Sequence, residues 1–331
     1  MNSFGRIFRV HIFGESHGEC VGITIDGCPA GLSLTPEDLL PDLERRKGGT
    51  QKGATPRQEE DYPIFKSGIF NGKTTGFPIT ILFENKNTRS EDYNKQRSIP
   101  RPGHADWVAH QKFGGNEDYR GGGHFSARLT TGIVAAGAIA KKLMPAINFT
   151  AAVTEIAGEN DLEKGLQKGI DAKDSVGGII ECKVNGLPVG FGEPYFDAVE
   201  SVLSHILFAI PAVRGVEFGT GFAAAKMFGS QHNDAIENIE GQTRTNHAGG
   251  IVGGISNGNE LVFRLAVKPT SSTPKIQNSL NWDTGAAEDF SIKGRHDLCV
   301  ALRAPVIVEA VTALVIADFM LLSQHIKRVI A

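Results

Sequence analysis

Residues 101–128, RPGHADWVAHQKFGGNEDYRGGGHFSAR, gather the side chains of this chain best suited to chemistry. Three arginines, three histidines and six glycines fall in this one stretch. Glycine lets backbone N–H groups approach a ligand closely. The stretch runs directly into LTTGIVAAGAIAKKLM, a small-residue apolar run that predicts a buried helix. A helix start supplies free donors and partial positive charge. Arginine adds a bidentate grip on phosphate or carboxylate, and histidine a proton that moves near neutral pH. The combination predicts an anion site with a mobile proton.

Three further constellations have similar chemistry. GESHG (14–18) follows the alternating strand RVHIF and places His17 in an uncrowded loop. Its central Ser16 matches the GxSxG pattern of a hydrolase elbow, but a strand rather than a helix is expected to follow, which disfavours that reading. NHAGGIVGGISNG (246–258) and KPTSST (268–273) bring a lysine and several hydroxyls together without bulk, which suits a phosphate or a polar heterocycle. KGRHDLCVALRAP (293–305) sets Arg295, His296, Asp297 and Arg303 before the last helix. An aspartate so placed is a proton acceptor with a depressed pKa or half of a structural ion pair. His104, Asp106 and His110 could ligate a metal, but no second cluster has ligand spacing. Proton transfer by His104, oriented by a carboxylate, is the more natural reading, and no metal is expected. No GxGxxG or Walker A sequence occurs, which disfavours dinucleotide and P-loop folds.

Net charge is −3 over 331 residues. That argues against broad nucleic-acid or membrane-surface binding. The local basic clusters, Arg45, Arg46, Lys47, Lys52 and Arg57 among them, suit a small anionic ligand. Four cysteines without a CxxC pair read as reduced thiols in a cytoplasmic protein. The N-terminus lacks a signal-peptide apolar region. The most apolar run, 304–322, carries Glu309 and Asp318 and reads as a core helix rather than a membrane span. Forty glycines without a period exclude collagen.

The elements that must position these groups can be sketched from pattern. Stretches 19–27, 174–186 and 249–258 each place glycine within a β-branched run that ends in a turn signal, and read as strands. So do 77–85 and the alternating 260–269. Thr35 before Pro36 starts a helix through about 46. Further helices are expected over 126–144, 196–210 and 305–330. Two segments, each with glycine, histidine and arginine before a long apolar helix, predict an internal duplication. The fold class expected is α+β, with long central helices sandwiched between antiparallel sheets in one structural unit, 1–331.

In this order, GESHG (14–18), DLERRKGGT (42–50), NKNTRSEDY (85–93), RPGHAD (101–106), DYRGGGHFSAR (118–128), NHAGGIVGGIS (246–256), KPTSS (268–272) and GRHD (294–297) resemble the chorismate synthase family over almost the whole chain. The resemblance implies a homotetrameric α+β sandwich that converts 5-enolpyruvylshikimate 3-phosphate to chorismate and phosphate. It also implies a need for reduced FMN, with NADPH as a candidate reductant. It assigns His17 to the leaving phosphate, His104 to flavin protonation, Asp297 to the ring hydrogen, and Ser16 and Ser126 to hydrogen-bond relays. FMN contacts carry over to His124, Phe125, Ser126, Ala212, Gly253, Lys268, Pro269, Thr270, Ser271, Ser272 and Arg295. Arg46 and Lys52 align with positions associated with NADPH or substrate phosphate. Arg128 and Arg303 would face the substrate.

The chain departs from the family pattern at several positions. His124 stands where arginine is usual, Phe125 where a small residue is common, and Leu298 where proline follows GRHD. Arginine is also usual at the Lys52 position. Two other readings stay open: a non-catalytic flavin- or anion-binding protein, and a metal- or serine-dependent hydrolase.

Overall fold

The computed structural model describes residues 2–48, 52–54, 59–88, 98–292 and 296–330. Two antiparallel sheets enclose two central helices. The first sheet has five strands, in the order Ser3–Phe4, Arg9–Gly14, Cys20–Asp26, Ile79–Glu84, Ile64–Ser67. The second has four: Val213–Phe218, Leu261–Val267, Gly178–Asn185, Asn148–Ile156. The helix Thr130–Leu143 packs on the first sheet and Pro305–Leu322 on the second, and the two helices pack on each other. Each half of the chain thus contributes a sheet followed by a long helix.

Apolar side chains dictate these layers. Val21, Ile23 and Ile25 are fully buried. Ile23 sits opposite Ile12 on one neighbouring strand and Ile81 on the other, which fixes the register. The two helices approach so closely that a β-carbon on Gly137 would overlap the backbone of Ala310. One buried apolar cluster takes side chains from both halves.

Pro305–Leu322 is apolar enough to cross a membrane by composition, yet it is buried within the protein. Its two carboxylates are each satisfied. Glu309 accepts from Arg45, Lys141 and the Ala151 backbone N–H. Asp318 accepts from the backbone N–H groups of Arg6, Ile7 and Phe8, which pins the start of the first sheet to the core helix.

Several expected boundaries move. The stretch 249–258 is a tight hairpin of Ile251–Val252 with Ile255–Ser256, because its paired glycines adopt left-handed backbone that a continuous strand cannot use. The last helix stops at Leu322, and the chain turns back so that the Ile330 N–H meets the Ala30 carbonyl at 2.8 Å. The helix expected over 196–210 is Val199–Leu207, preceded by a 3₁₀ turn at Tyr195–Asp197. The helix after Thr35 begins as the 3₁₀ turn Pro36–Asp38 and becomes α-helical at Leu40–Arg46. Helices Asp106–Phe113 and Leu162–Ala172 and the strand Asn148–Ile156 were not foreseen.

Candidate active site

The triple glycine of RGGGHFSAR is the hub of the site. Gly121, Gly122 and Gly123 all have positive φ, of 59°, 80° and 51°. Two of them lie against the histidines singled out from sequence. A β-carbon on Gly121 would run into the His17 ring and come within 3.1 Å of Ser16 Oγ. One on Gly122 would stand 3.2 Å from His104 Cε1 and 3.3 Å from its Nε2. The Gly123 carbonyl accepts from the Ser16 N–H at 3.1 Å, docking the GESHG loop on the same turn. Asn85 secures that loop from below through the carbonyls of Glu15 and Gly18, at 3.0 and 2.9 Å. GESHG connects the strands Arg9–Gly14 and Cys20–Asp26 of one antiparallel pair. The strand–turn–helix context of a hydrolase elbow is therefore absent from it.

After the glycines, Ser126 caps the next turn by accepting from the Arg128 N–H at 3.2 Å. The 3₁₀ turn Ala127–Leu129 then leads into the first central helix.

These elements border a cavity of about 930 Å³. Of the residues proposed from sequence, Ser16, His17, Arg46, His104, His124, Phe125, Ser126, Arg128 and Ala212 line it, together with Lys268 to Ser272, Asp297 and Arg303. Lys52 and Gly253 do not. Lys52 lies 3.2 Å from Gln167 on the surface, and Gly253 sits at the tip of the 251–256 hairpin. Arg57, Arg295 and parts of NKNTRSEDY, DLERRKGGT and GRHD fall outside the described residues.

The cations of the site differ in how free they are. Arg46 and Arg128 are only 4% and 6% exposed, and both bind the carboxylate of Asp61, Arg46 at 2.7 Å. Arg128 is further committed to Asn85 Oδ1 at 2.8 Å and the Glu84 carbonyl at 3.1 Å. Burial opposes ionisation of Asp61, but the two guanidinium charges outweigh it and hold its carboxyl below the usual range. Burial lowers Arg128 from its ordinary value, against the pull of Asp61. Arg303 donates to the Arg46 carbonyl at 3.0 Å and to Asp297 at 3.1 Å, so the aspartate flagged from sequence is ion-paired.

Arg214 is exposed and lines the cavity, and among the described residues no carboxylate pairs with it. Burial, then the charge of Arg214, lowers the pKa of Lys268, whose Nζ donates to the Gly103 carbonyl and Ser271. Among the described residues, a buried Thr270 hydroxyl nearby has no hydrogen-bond partner. Two like charges and an orphaned hydroxyl on one wall mark where an anionic or polar ligand group would be accepted.

His124, at the position expected to be most cationic, lines the cavity with both ring nitrogens engaged elsewhere. Its Nδ1 donates to the Gly14 carbonyl at 2.9 Å, and its Nε2 lies 3.1 Å from Asn2 Oδ1. Sequence reading missed Asp61, Asn85 and Arg214. Asp61 lies in EEDYP, which reads as a solvated acidic turn, and Arg214 at a strand start with no motif around it. Among the described residues no three histidine, cysteine or acidic side chains gather as a metal site.

Comparison with known proteins agrees along the whole chain. A protein from Chitinophaga pinensis described as chorismate synthase is 66% identical over 330 residues, covering 99% of each chain. One from Dehalococcoides mccartyi with the same description is 43% identical over 360 residues, again covering 99% of each. A solved structure titled as chorismate synthase superposes with a TM-score of 0.71 over 97% of this chain and 93% of that one; at 24% identity it speaks for the fold. The family model described as chorismate synthase matches residues 8–321, and with the shared layers and relatives this establishes that the chain belongs to the chorismate synthase family.

Proposed function

We propose that the 930 Å³ cavity is where this lyase of the shikimate pathway holds reduced FMN beside 5-enolpyruvylshikimate 3-phosphate. The reaction is a 1,4-elimination: a ring hydrogen and the phosphate depart, and a second ring double bond forms. The observation that carries the site assignment is the seating of His17 and His104 on consecutive glycines at the wall of one cavity.

The lining fits a flavin. Ile210, Pro211, Ala212, Ile133 and the half-exposed Phe125 offer apolar surface for a flat ring, and Lys268, Arg214 and the unpartnered Thr270 hydroxyl offer polar contacts. When bound, reduced flavin supplies a transient source of electron density that is restored by the end of turnover. The remaining roles belong to the chain. His17, seated against Gly121, donates to the departing phosphate, whose developing charge needs a nearby cation. His104 controls the proton on the flavin side. Asp297, steadied by Arg303, handles the ring hydrogen. Ser16 and Ser126 relay hydrogen bonds, the latter from its cap position.

Of the two cations associated with NADPH or substrate phosphate, Arg46 lines the cavity and Lys52 lies outside it, so Arg46 is the one placed to meet an anion there. A cytoplasmic homotetramer would cover the exposed Phe222, Phe228 and Ile239.

Phosphate release from 5-enolpyruvylshikimate 3-phosphate under anaerobic conditions tests the proposal. Release should require both FMN and a chemical reductant, and His17→Ala should slow it by ~10²-fold or more while FMN stays bound. Release without flavin, or full turnover by His17→Ala, would overturn it.

A further inference from the structure

The ring of His104 is gripped by a carboxylate that the larger cavity never touches. His104 Nδ1 lies 2.6 Å from Asp106 Oδ1. Arg101 locks the same carboxylate, donating from Nε at 2.7 Å and its backbone N–H at 3.0 Å to Oδ2, and from Nη2 at 2.7 Å to Oδ1. Burial opposes the charge on Asp106, but the Arg101 and His104 hydrogen bonds outweigh it and hold the carboxyl well below the usual range.

An ionised carboxylate only accepts, so the hydrogen between Asp106 and His104 resides on Nδ1. Arg101 Nη2 also comes within 3.0 Å of Nδ1, but a guanidinium only donates and a protonated ring nitrogen cannot accept from it. The shorter contact to Asp106 therefore sets the tautomer, and Nε2 is left as the ring nitrogen able to take a proton.

Asp106 lines a second, smaller cavity of about 630 Å³, bordered also by Trp107, His110 and Trp282. His104 borders both cavities, whereas Asp106 is absent from the lining of the larger one. Asp106 can reach an occupant of the larger cavity only through the two lining residues it holds, Arg101 and His104, and of these only the imidazole carries a proton that moves near neutral pH.

We propose that Asp106 is a positioning residue for the reaction, holding His104 as the Nδ1–H tautomer so that Nε2 is the nitrogen that exchanges the proton. This rests on the assignment of proton control to His104. The Arg101–Asp106–His104 chain follows the logic of an aspartate that orients a catalytic imidazole without being protonated itself.

The test is a double-mutant cycle of Asp106→Asn and His104→Ala, assayed by anaerobic phosphate release, together with ¹⁵N NMR of the histidine ring nitrogens. Asp106→Asn should lower kcat by roughly 10²- to 10⁴-fold with little change in KM. In the His104→Ala background it should cause no further loss. The ring spectrum should report Nδ1–H in the parent enzyme and loss of that preference in Asp106→Asn. Independent, multiplying losses, or a tautomer indifferent to Asp106, would overturn the proposal. Full turnover by His104→Ala alone would instead refute the role of His104, and the spectrum would still decide the pairing. If Asp106→Asn fails to fold, Asp106→Glu, which keeps the acceptor, should retain the Nδ1–H signature; its loss there would count equally against the proposal.

Discussion

Gly121 lies directly against the imidazole of His17, at a backbone φ of 59° that favours glycine. Substitution here is therefore a test of catalytic placement as well as of strain. In Gly121→Ala the new methyl must push the ring away or be pushed itself, and the left-handed backbone adds about 1 kcal/mol. Turnover should fall by ~10²-fold, the scale of a lost proton donor, with only a modest fall in Tm. Gly122→Ala makes a useful contrast, because its methyl would stand 3.2 Å from His104 and needs a displacement of only a few tenths of an ångström. Its loss of kcat should be smaller. Full activity in Gly121→Ala would show that the His17 position is not critical.

Asp61 is the anion that makes a buried pair of arginines tolerable. Removing one partner of such a cluster typically costs about 3–5 kcal/mol, so Asp61→Ala should show a large drop in urea-unfolding stability. The pH dependence has a definite sign. The folded-state pKa of Asp61 is depressed, so its stabilisation is complete above the ordinary aspartate value of about 3.9 and is lost as pH falls towards the folded value. The parent protein should lose stability more steeply below about pH 4 than Asp61→Asn does, although the variant is weaker at pH 7. Equal slopes would show that Asp61 is not the titrating group.

Arg214 should matter to ligand and hardly at all to folding. It is exposed, lines the cavity, and has no carboxylate partner among the described residues. Arg214→Ala should weaken binding of an anionic ligand by roughly tenfold, the value of one charge-assisted hydrogen bond, and leave Tm within a degree or two. Titrating inorganic phosphate and FMN separately against the variant identifies which anion the residue serves. Unchanged affinity for both, and for 5-enolpyruvylshikimate 3-phosphate, would remove Arg214 from the site.

What could be read from sequence follows the range of the interactions. The two central helices and the main strands were legible, because apolar periodicity and proline stops act over neighbouring residues. The meeting of His17 and His104 at one site could be anticipated from local motifs, and both line the same cavity. The pairing of Arg46 and Arg128 through Asp61 was not, since it joins positions 46, 61 and 128, and an aspartate in an acidic turn gives no sign of burial. His124 could be flagged as unusual, but its turn towards Gly14 and Asn2 depends on a strand far away in the chain. The glycines of 249–258 resembled those of the true strands in composition, and only their left-handed backbone separates a hairpin from a strand.

Glu309 ties the first arginine-bearing helix to the core. Its carboxylate, 2% exposed on the second central helix, accepts from Arg45 at 2.6 Å, Lys141 at 2.8 Å and the Ala151 N–H at 3.0 Å. Arg45 adjoins Arg46, so this contact also anchors the backbone that carries a cavity residue. Burial opposes the Glu309 charge, and the hydrogen bond from Arg45 and the neighbouring Lys141 overcome it. Arg45 and Lys141 remain partly exposed and can return to water when the carboxylate is lost, which limits the penalty for them. The Ala151 N–H sits within the second sheet and has no such escape. Glu309→Gln, which keeps an acceptor for that N–H, should therefore cost about 1–2 kcal/mol, whereas Glu309→Leu should cost about 3 kcal/mol by stranding it. Chemical denaturation of both variants gives the order. A leucine variant as stable as the glutamine one would show that Ala151 finds another acceptor and that Glu309 acts through charge alone.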